Sequence, residues 1–129
     1  MSSPENLKYT RTHEWIRLDG NVATIGITDH AQNELGDITF VDLPDVGSSV
    51  ESAQPFAVVE SVKAGSDVYA PLDGEVVERN ESVVSTPELI NSSPFQDAWL
   101  VRVKVSQPSQ VEALLEAADY DDFAGAGAH

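Results

Sequence analysis

Between Leu18 and Glu78 the chain carries 12 acidic side chains and a single Lys or Arg, Lys63. That lysine sits in Phe56-Ala57-Val58-Val59-Glu60-Ser61-Val62-Lys63-Ala64-Gly65-Ser66-Asp67-Val68-Tyr69-Ala70-Pro71, where two apolar strand patterns flank the small-residue run Lys63-Ala64-Gly65-Ser66. Such a run between strands is a tight turn, so the spacing predicts that Lys63 projects from a hairpin tip. A lysine acting as a nucleophile must lose its proton near neutral pH, which takes burial or a cationic neighbour. Glu60 and Asp67 favour the charged form instead. Two readings of Lys63 remain: a solvated turn lysine, or an exposed amine on a rigid hairpin to which a modifying enzyme attaches a prosthetic arm.

The other groups with chemical potential are less productive. His13 and His30, with Glu14 and Asp29 beside them, lack the i, i+4 helical spacing of a metal pair, so no metal site is expected. His30 is expected to cap or pack a short helix. The Asp119, Asp121, Asp122 cluster has neither the glycine nor the distal glutamate of a calcium loop. Gly20, Gly47, Gly65 and Gly74 read as turn glycines, because no phosphate-binding spacing joins them to a helix start. Trp15 and Trp99 fall in strand patterns as core or cleft walls. With no cysteine, thiol catalysis, disulfides and Cys-type zinc clusters are excluded, and no catalytic constellation can be assembled.

Composition narrows the partners. The 129 residues, 41% hydrophobic, suit one globular domain, 1–129, with its core over about 7–123. There are 22 acidic against 7 basic side chains, a formal charge of −15. Nucleic acid and anionic membrane surfaces, which require clustered Lys and Arg, are poor partners for such a chain. Only three lysines occur, Lys8, Lys63 and Lys104. Together with the acidic excess this points to a salty cytoplasm, since a Debye length of about 3 Å at molar salt screens carboxylate repulsion. No membrane-length apolar run and no basic apolar leader is seen, so a cytoplasmic protein beginning near Met1 is expected.

The elements that must hold Lys63 read mainly as short β-strands. A hairpin pairs Glu14–Leu18 with Val22–Ile27 across Asp19-Gly20-Asn21. A short helix follows, with Asp29 as its cap, Gln32 three residues on, and Gly36 just past its end. Strands are expected at 38–43, 49–51, 56–62, 67–70, 74–79 and 99–105, the pattern of a sandwich or flattened barrel. Thr86-Pro87-Glu88-Leu89-Ile90-Asn91 reads as one helical turn. Ser109 and Glu112 form a capping box before Val111, Leu114, Leu115 and Ala118, an amphipathic helix expected to dock on the sheet. The tail 124–129 reads as frayed. A faint echo between Val46-Gly47-Ser48-Ser49-Val50 and Leu72-Asp73-Gly74-Glu75-Val76 suggests two related halves.

Several blocks are recognisable: Glu60-Ser61-Val62-Lys63-Ala64, Thr12-His13-Glu14-Trp15, Gly26-Ile27-Thr28-Asp29-His30-Ala31, Leu35-Gly36-Asp37-Ile38, Asp42-Leu43-Pro44 and Asn91-Ser92-Ser93-Pro94. In order and spacing they resemble the glycine cleavage system H protein family over about Leu7 to Phe123. The resemblance implies a lipoyl-domain-like barrel-sandwich hybrid of two quasi-symmetric antiparallel sheets, with short helices and a C-terminal amphipathic helix. It also implies that Lys63 carries (R)-lipoate in amide linkage.

By the same resemblance the chain is a non-catalytic carrier. It takes the aminomethyl group of glycine from the pyridoxal-phosphate-dependent decarboxylating glycine dehydrogenase and delivers it to the tetrahydrofolate-dependent aminomethyltransferase. Dihydrolipoamide dehydrogenase, a flavin enzyme, then reoxidises the arm, and a lipoate-attaching enzyme installs it. A monomer is expected. The loaded arm folds into a surface cleft, and the matching polar residues here are Thr12, where many members carry serine, Glu14 and Asp67, with His30 a further contact to the arm. A biotin carrier would flank its lysine with methionines, where Val62 and Ala64 stand. An acyl-carrying lipoyl domain of a 2-oxoacid dehydrogenase would be shorter and tethered by linkers. An H-like donor in lipoate transfer to other enzymes would need the same lysine.

Overall fold

A computed structural model describes residues 4–127. The strands are β1 (Lys8–Tyr9), β2 (Glu14–Asp19), β3 (Val22–Ile27), β4 (Ile38–Asp42), β5 (Ser49–Val50), β6 (Pro55–Ser61), β7 (Gly65–Tyr69), β8 (Gly74–Arg79) and β9 (Val101–Val105). They form two antiparallel sheets, one ordered β1-β2-β3-β9-β8-β5 and a smaller one ordered β4-β6-β7. Five short helices join them: α1 (Asp29–Leu35), α2 (Glu81–Ser85), α3 (Leu89–Ser92), α4 (Ser109–Glu112) and α5 (Ala117–Gly127). The mainly β, two-sheet reading is correct.

The period-two alternation of each strand explains the layering. In the small sheet Val41, Ala57, Val59 and Val68 face inward, and in the large one Ile16, Ile25, Val76 and Val103 do, forming one core with Leu72, Ile90 and Leu100. A second cluster joins Leu7, Tyr9 and Trp15 to Tyr120 and Ala124 of α5. Tyr9 and Tyr120 stack at 4.8 Å between centroids. Trp99, half-buried, packs at the margin of this cluster with Arg102 over its ring at 4.1 Å.

Gly26 is set by Trp15 rather than by a turn. A Cβ at Gly26 would stand 2.5 Å from Trp15 Cε2, inside any tolerated contact. Gly26→Ala is therefore expected to lower stability by about 2–3 kcal/mol, read as a shift of the urea midpoint at unchanged slope.

Local details depart from the sequence reading. The cap of α1 is Thr28, whose Oγ1 accepts from Ala31 N, while Asp29 lies inside the first turn and receives Gln32 Nε2 at 2.8 Å. Either residue suits a cap, and tertiary contacts choose between them: Thr28 Oγ1 is also bonded to buried Tyr120. The C-terminal amphipathic helix is two helices. Leu115 leaves the helical path to bridge Tyr9, trading two backbone hydrogen bonds of 2.9 Å. Pro108 stands at the cap of α4 without a side-chain bond, so the Ser109/Glu112 box does not form. Far from fraying at 124, α5 continues through Gly127 because Ala124 is buried; 128–129 lie outside the described residues. Gly74 is a strand residue whose absent Cβ makes room for the Lys104 carbonyl. Helix α2, capped by Asn80, was not expected from sequence.

Candidate functional site

Strands β6 and β7 present Lys63 at the tip of their hairpin, exposed. The turn owes its form to Ser61. Its backbone N donates to Ala64 O at 2.9 Å, and its Oγ accepts from the backbone N of Lys63 and of Ala64 at 3.1 and 3.2 Å. A side-chain oxygen thus replaces the carbonyl that would close a two-residue turn. Val62 N donates to Asp37 O at 3.0 Å, fastening the tip to the α1–β4 connection.

Beneath the lysine that connection is shaped to accept it. Gly36, at φ 79°, ends α1, and a Cβ there would lie 3.4 Å from Lys63 Cε. Lys63 Nζ reaches Glu34 O at 3.4 Å, a weak contact with one of the carbonyls left open at a helix end. Asn91 ties this platform together: its Nδ2 donates to Gly36 O and to Gln32 Oε1, and its Oδ1 accepts from Ile38 N, each at 2.9 Å. An amide at position 91 is needed to do all three, since one end donates and the other accepts.

A cleft of about 320 Å³ opens between the start of β2 and the end of β7, lined by Thr10, Thr12, Glu14, Ala53, Tyr69 and Leu114 among others. At its wall lies Glu14, only 2% exposed. Thr10 and Thr12 hydroxyls both donate to Glu14 Oε1 at 2.5 Å, while among the described residues Oε2 has only Tyr69 N, at 3.3 Å. Burial pushes the Glu14 carboxyl above its ordinary pKa, and these hydrogen bonds partly offset that shift. One oxygen is saturated and its twin has a single long contact. A cation entering the cleft finds an under-satisfied carboxylate oxygen.

Of the residues expected to meet the arm, Thr12 and Glu14 come together in this cleft. Asp67 does not line it; it is exposed on edge strand β7, between the Lys63 turn and Tyr69. His30 does not line it either. It sits in the first turn of α1 with Nε2 3.1 Å from Glu34 Oε1, its ring stacked on His13 at 4.4 Å. The two histidines lie on separate elements, His13 just before β2 and His30 in α1, and their rings meet across the gap. Among the described residues no group of three His, Asp or Glu is arranged to hold a metal. Sequence reasoning missed Thr10 and Ser61, for which a hydroxyl four residues before Glu14 and two before Lys63 was the available signal. Tyr69 acts through backbone and Leu114 through tertiary placement, so neither left a signal.

His13 is held at φ 71° and its Nδ1 lies 2.7 Å from the Tyr120 hydroxyl, which is itself 2.7 Å from Thr28 Oγ1. Burial, and then the stacked His30, push the His13 pKa below its ordinary 6.5, against an opposing pull from Glu34. The Tyr120 hydroxyl is pushed up to about 12, chiefly by burial. A histidine lowered in the fold contributes stability fully above the unfolded-state pKa of 6.5, and loses it as pH falls towards the folded value. Urea unfolding between pH 8 and 5 should therefore show stability declining below about 6.5, with a shallower decline in His13→Gln.

A larger hollow of about 820 Å³ lies elsewhere, between β5, β8 and β9, lined by Glu51, Asp73, Glu75 and Lys104 among others. It is open, and Lys63 is not among its lining residues.

A family model described as "Glycine cleavage H-protein" matches residues 7–126. The "Glycine cleavage system H protein" of Bacillus cereus (strain AH820) is 54% identical over 123 residues, covering 95% of this chain and 97% of the relative. The mitochondrial glycine cleavage system H protein of Flaveria pringlei is 54% identical over 119 residues, 92% of this chain and 74% of the relative. A crystal structure of a glycine cleavage system H protein from Mycobacterium marinum superposes with a TM-score of 0.88 at 36% identity, covering 95% of this chain and 99% of that one.

Proposed function

The chain belongs to the glycine cleavage H-protein family, and from that premise we propose that it shuttles the aminomethyl group of glycine on a lipoyl arm anchored at Lys63. Membership makes it a lipoyl carrier subunit of the glycine cleavage system and not itself a catalyst. The observation that carries the fuller reading is the pairing of an exposed Lys63 amine on a braced hairpin with a buried, under-satisfied Glu14 carboxylate in a cleft. When bound, the lipoyl group supplies the disulfide that takes up the cargo and the dithiol that a flavin enzyme reoxidises.

The chain's own residues do the rest. Ser61, Gly36 and Asn91 fix where the Lys63 stem starts, which narrows the volume an attached arm sweeps. The cleft receives the loaded end, where Glu14 Oε2 pairs with the protonated amine. Thr10 and Thr12 hold the other oxygen, so the carboxylate is oriented before the cargo arrives. Tyr69 and Leu114 cover the apolar part and keep water from the cargo. Asp67 stands along the route between tip and cleft. His30, occupied by Glu34 and His13, steadies α1 beneath the lysine.

The partners in this reading are decarboxylating glycine dehydrogenase, aminomethyltransferase, dihydrolipoamide dehydrogenase and a lipoate-attaching enzyme, in the cytoplasm, with the carrier a monomer. The test is reconstitution. Lipoylated chain added to the first three enzymes with glycine, tetrahydrofolate and NAD should drive NADH formation in proportion to carrier. No NADH above the carrier-free rate would overturn the assignment.

The −15 charge supports adaptation to high salt, because screening relieves carboxylate repulsion in the folded state. The melting temperature should rise steeply from about 0.05 to 1 M potassium chloride; a flat profile would remove that reading.

A further inference from the structure

The hairpin that joins β1 to β2 turns through only three residues. Tyr9 pairs with Trp15, and Thr10 N donates to Glu14 O at 3.0 Å, which leaves Arg11, Thr12 and His13 as the loop. His13 N closes it by donating to Thr10 O at 3.2 Å, and His13 itself is at φ 71°. The last position of such a loop is left-handed, a seat that glycine fills without strain and histidine does not. Among the described residues one other non-glycine has a positive φ, Ala53 at 69°, and it lines the Glu14 cleft. Strain of this kind persists only where the surroundings fix the residue. For His13 they do: Nδ1 is held by the Tyr120 hydroxyl, the ring lies on His30, and the carbonyl accepts from Thr28 N at 3.0 Å. The three partners belong to α5, to α1 and to the cap of α1.

We propose that His13 is a positioning residue for the cargo site. Its anchored imidazole holds the loop in the left-handed form that brings the Thr10 and Thr12 hydroxyls onto one Glu14 oxygen and leaves the other for the cargo's ammonium. The hydrogen bonds require this loop. Thr10 Oγ1 accepts from Glu14 N at 3.0 Å while donating to Glu14 Oε1, a pair of bonds that exists only when Thr10 and Glu14 face each other across the hairpin. Were residue 13 to relax to negative φ, the three-residue loop could not close on that pair. The pairing of β1 with β2 would slip, and a slip of one residue turns Thr10 away from the carboxylate. His13 touches no cargo; it acts through the backbone that it holds. The stack with His30 and the bond to Tyr120 thus tie the wall of the cleft to α1 and α5. The proposal rests on the carrier reading above and names what keeps its cargo site in shape.

The test uses full-length chain, lipoylated and verified by intact mass, loaded by the glycine-decarboxylating enzyme and then separated from it. Ammonia release gives the lifetime of the cargo. His13→Ala removes the anchor and should shorten that lifetime about tenfold. Tyr120→Phe keeps the ring stacked on Tyr9 and removes only the hydroxyl that holds His13 Nδ1, so it should shorten the lifetime in the same direction. His13→Asn tolerates a positive φ and offers an amide oxygen near the place of Nδ1; it should return the lifetime to within about threefold of wild type. Val103→Ala opens the core at β9 and lines no part of the cleft, so it should lower the urea midpoint and leave the lifetime alone. A wild-type lifetime in His13→Ala would overturn the positioning role. So would an asparagine variant as short-lived as the alanine one, or a lifetime in Val103→Ala as short as in His13→Ala, since lost stability alone would then be the cause. Should His13→Ala not fold, a wild-type lifetime in Tyr120→Phe would overturn it. Wild-type chain that takes up no cargo would instead strike at the carrier reading itself.

Discussion

Lys63→Arg is expected to fold as the wild type does and to carry nothing. The arginine keeps the positive charge and the long stem, and the turn beneath it is held by Ser61 Oγ and the Asp37 carbonyl through backbone nitrogens that the substitution does not touch. Lys63 is exposed and its side chain makes one weak bond, so the melting midpoint should move by no more than about 0.5 kcal/mol equivalent. What is lost is the acylatable amine: a guanidinium stays protonated at any working pH. Intact mass after co-expression with a lipoate-attaching enzyme should show no adduct, and glycine-dependent NADH formation should fall to the carrier-free rate. Wild-type turnover in this variant would place the arm elsewhere.

Glu14→Gln separates carrying from sheltering. At neutral pH the wild-type fold holds a carboxylate in a desolvated wall. Its raised pKa means that burial disfavours the charged form relative to the unfolded chain. Stability from that preference is complete below the unfolded-state value of about 4.5 and is lost as pH rises through the folded-state pKa. The glutamine variant has no such loss, so it should be the more stable protein at pH 7, with the difference closing as pH falls through the folded-state pKa and gone below about 4.5. Lipoylation should be unaffected, since Glu14 is absent from the contacts of the Lys63 turn. The loaded carrier should decay about ten- to a hundredfold faster, because a charge-assisted hydrogen bond to the cargo's ammonium, worth roughly 1.5–3 kcal/mol, is gone. Ammonia release after loading measures that rate. A variant both less stable and equally protective would remove Glu14 from the sheltering role. On the proposed reading, stability is exchanged for a charge poised to meet a cation, a common trade at functional sites.

Much of this was legible in the chain itself, and the reasons differ by level. The hairpin around Lys63 was readable because period-two burial and a small-residue turn are local signals, and because one cation among 12 carboxylates is conspicuous. The Glu14–Thr12 pair was readable only through family resemblance, since no spacing rule says that an exposed-looking strand start is walled in by Leu114 from the far end of the chain. The C-terminal region was misread because its helical pattern is real but Tyr9 outbids it: β1, too short to announce itself, captures Leu115 and splits the helix. The cap of α1 went to Thr28 rather than Asp29 for a similar reason, a hydrogen bond from a tyrosine 92 positions away. The meeting of His13 and His30 depends on a left-handed backbone at His13 that residue type alone does not forecast.

The chain offers three lysines, and the account turns on one of them. Lys8 is engaged with Glu116 at 2.5 Å, and Lys104 lies on β9 between β3 and β8. Tandem mass spectrometry of peptides from protein produced in lipoate-replete cells decides the matter directly. We expect a lipoyl mass on Lys63 at high occupancy and none on Lys8 or Lys104. A bare Lys63 in cells whose other lipoyl proteins are fully modified would contradict the account.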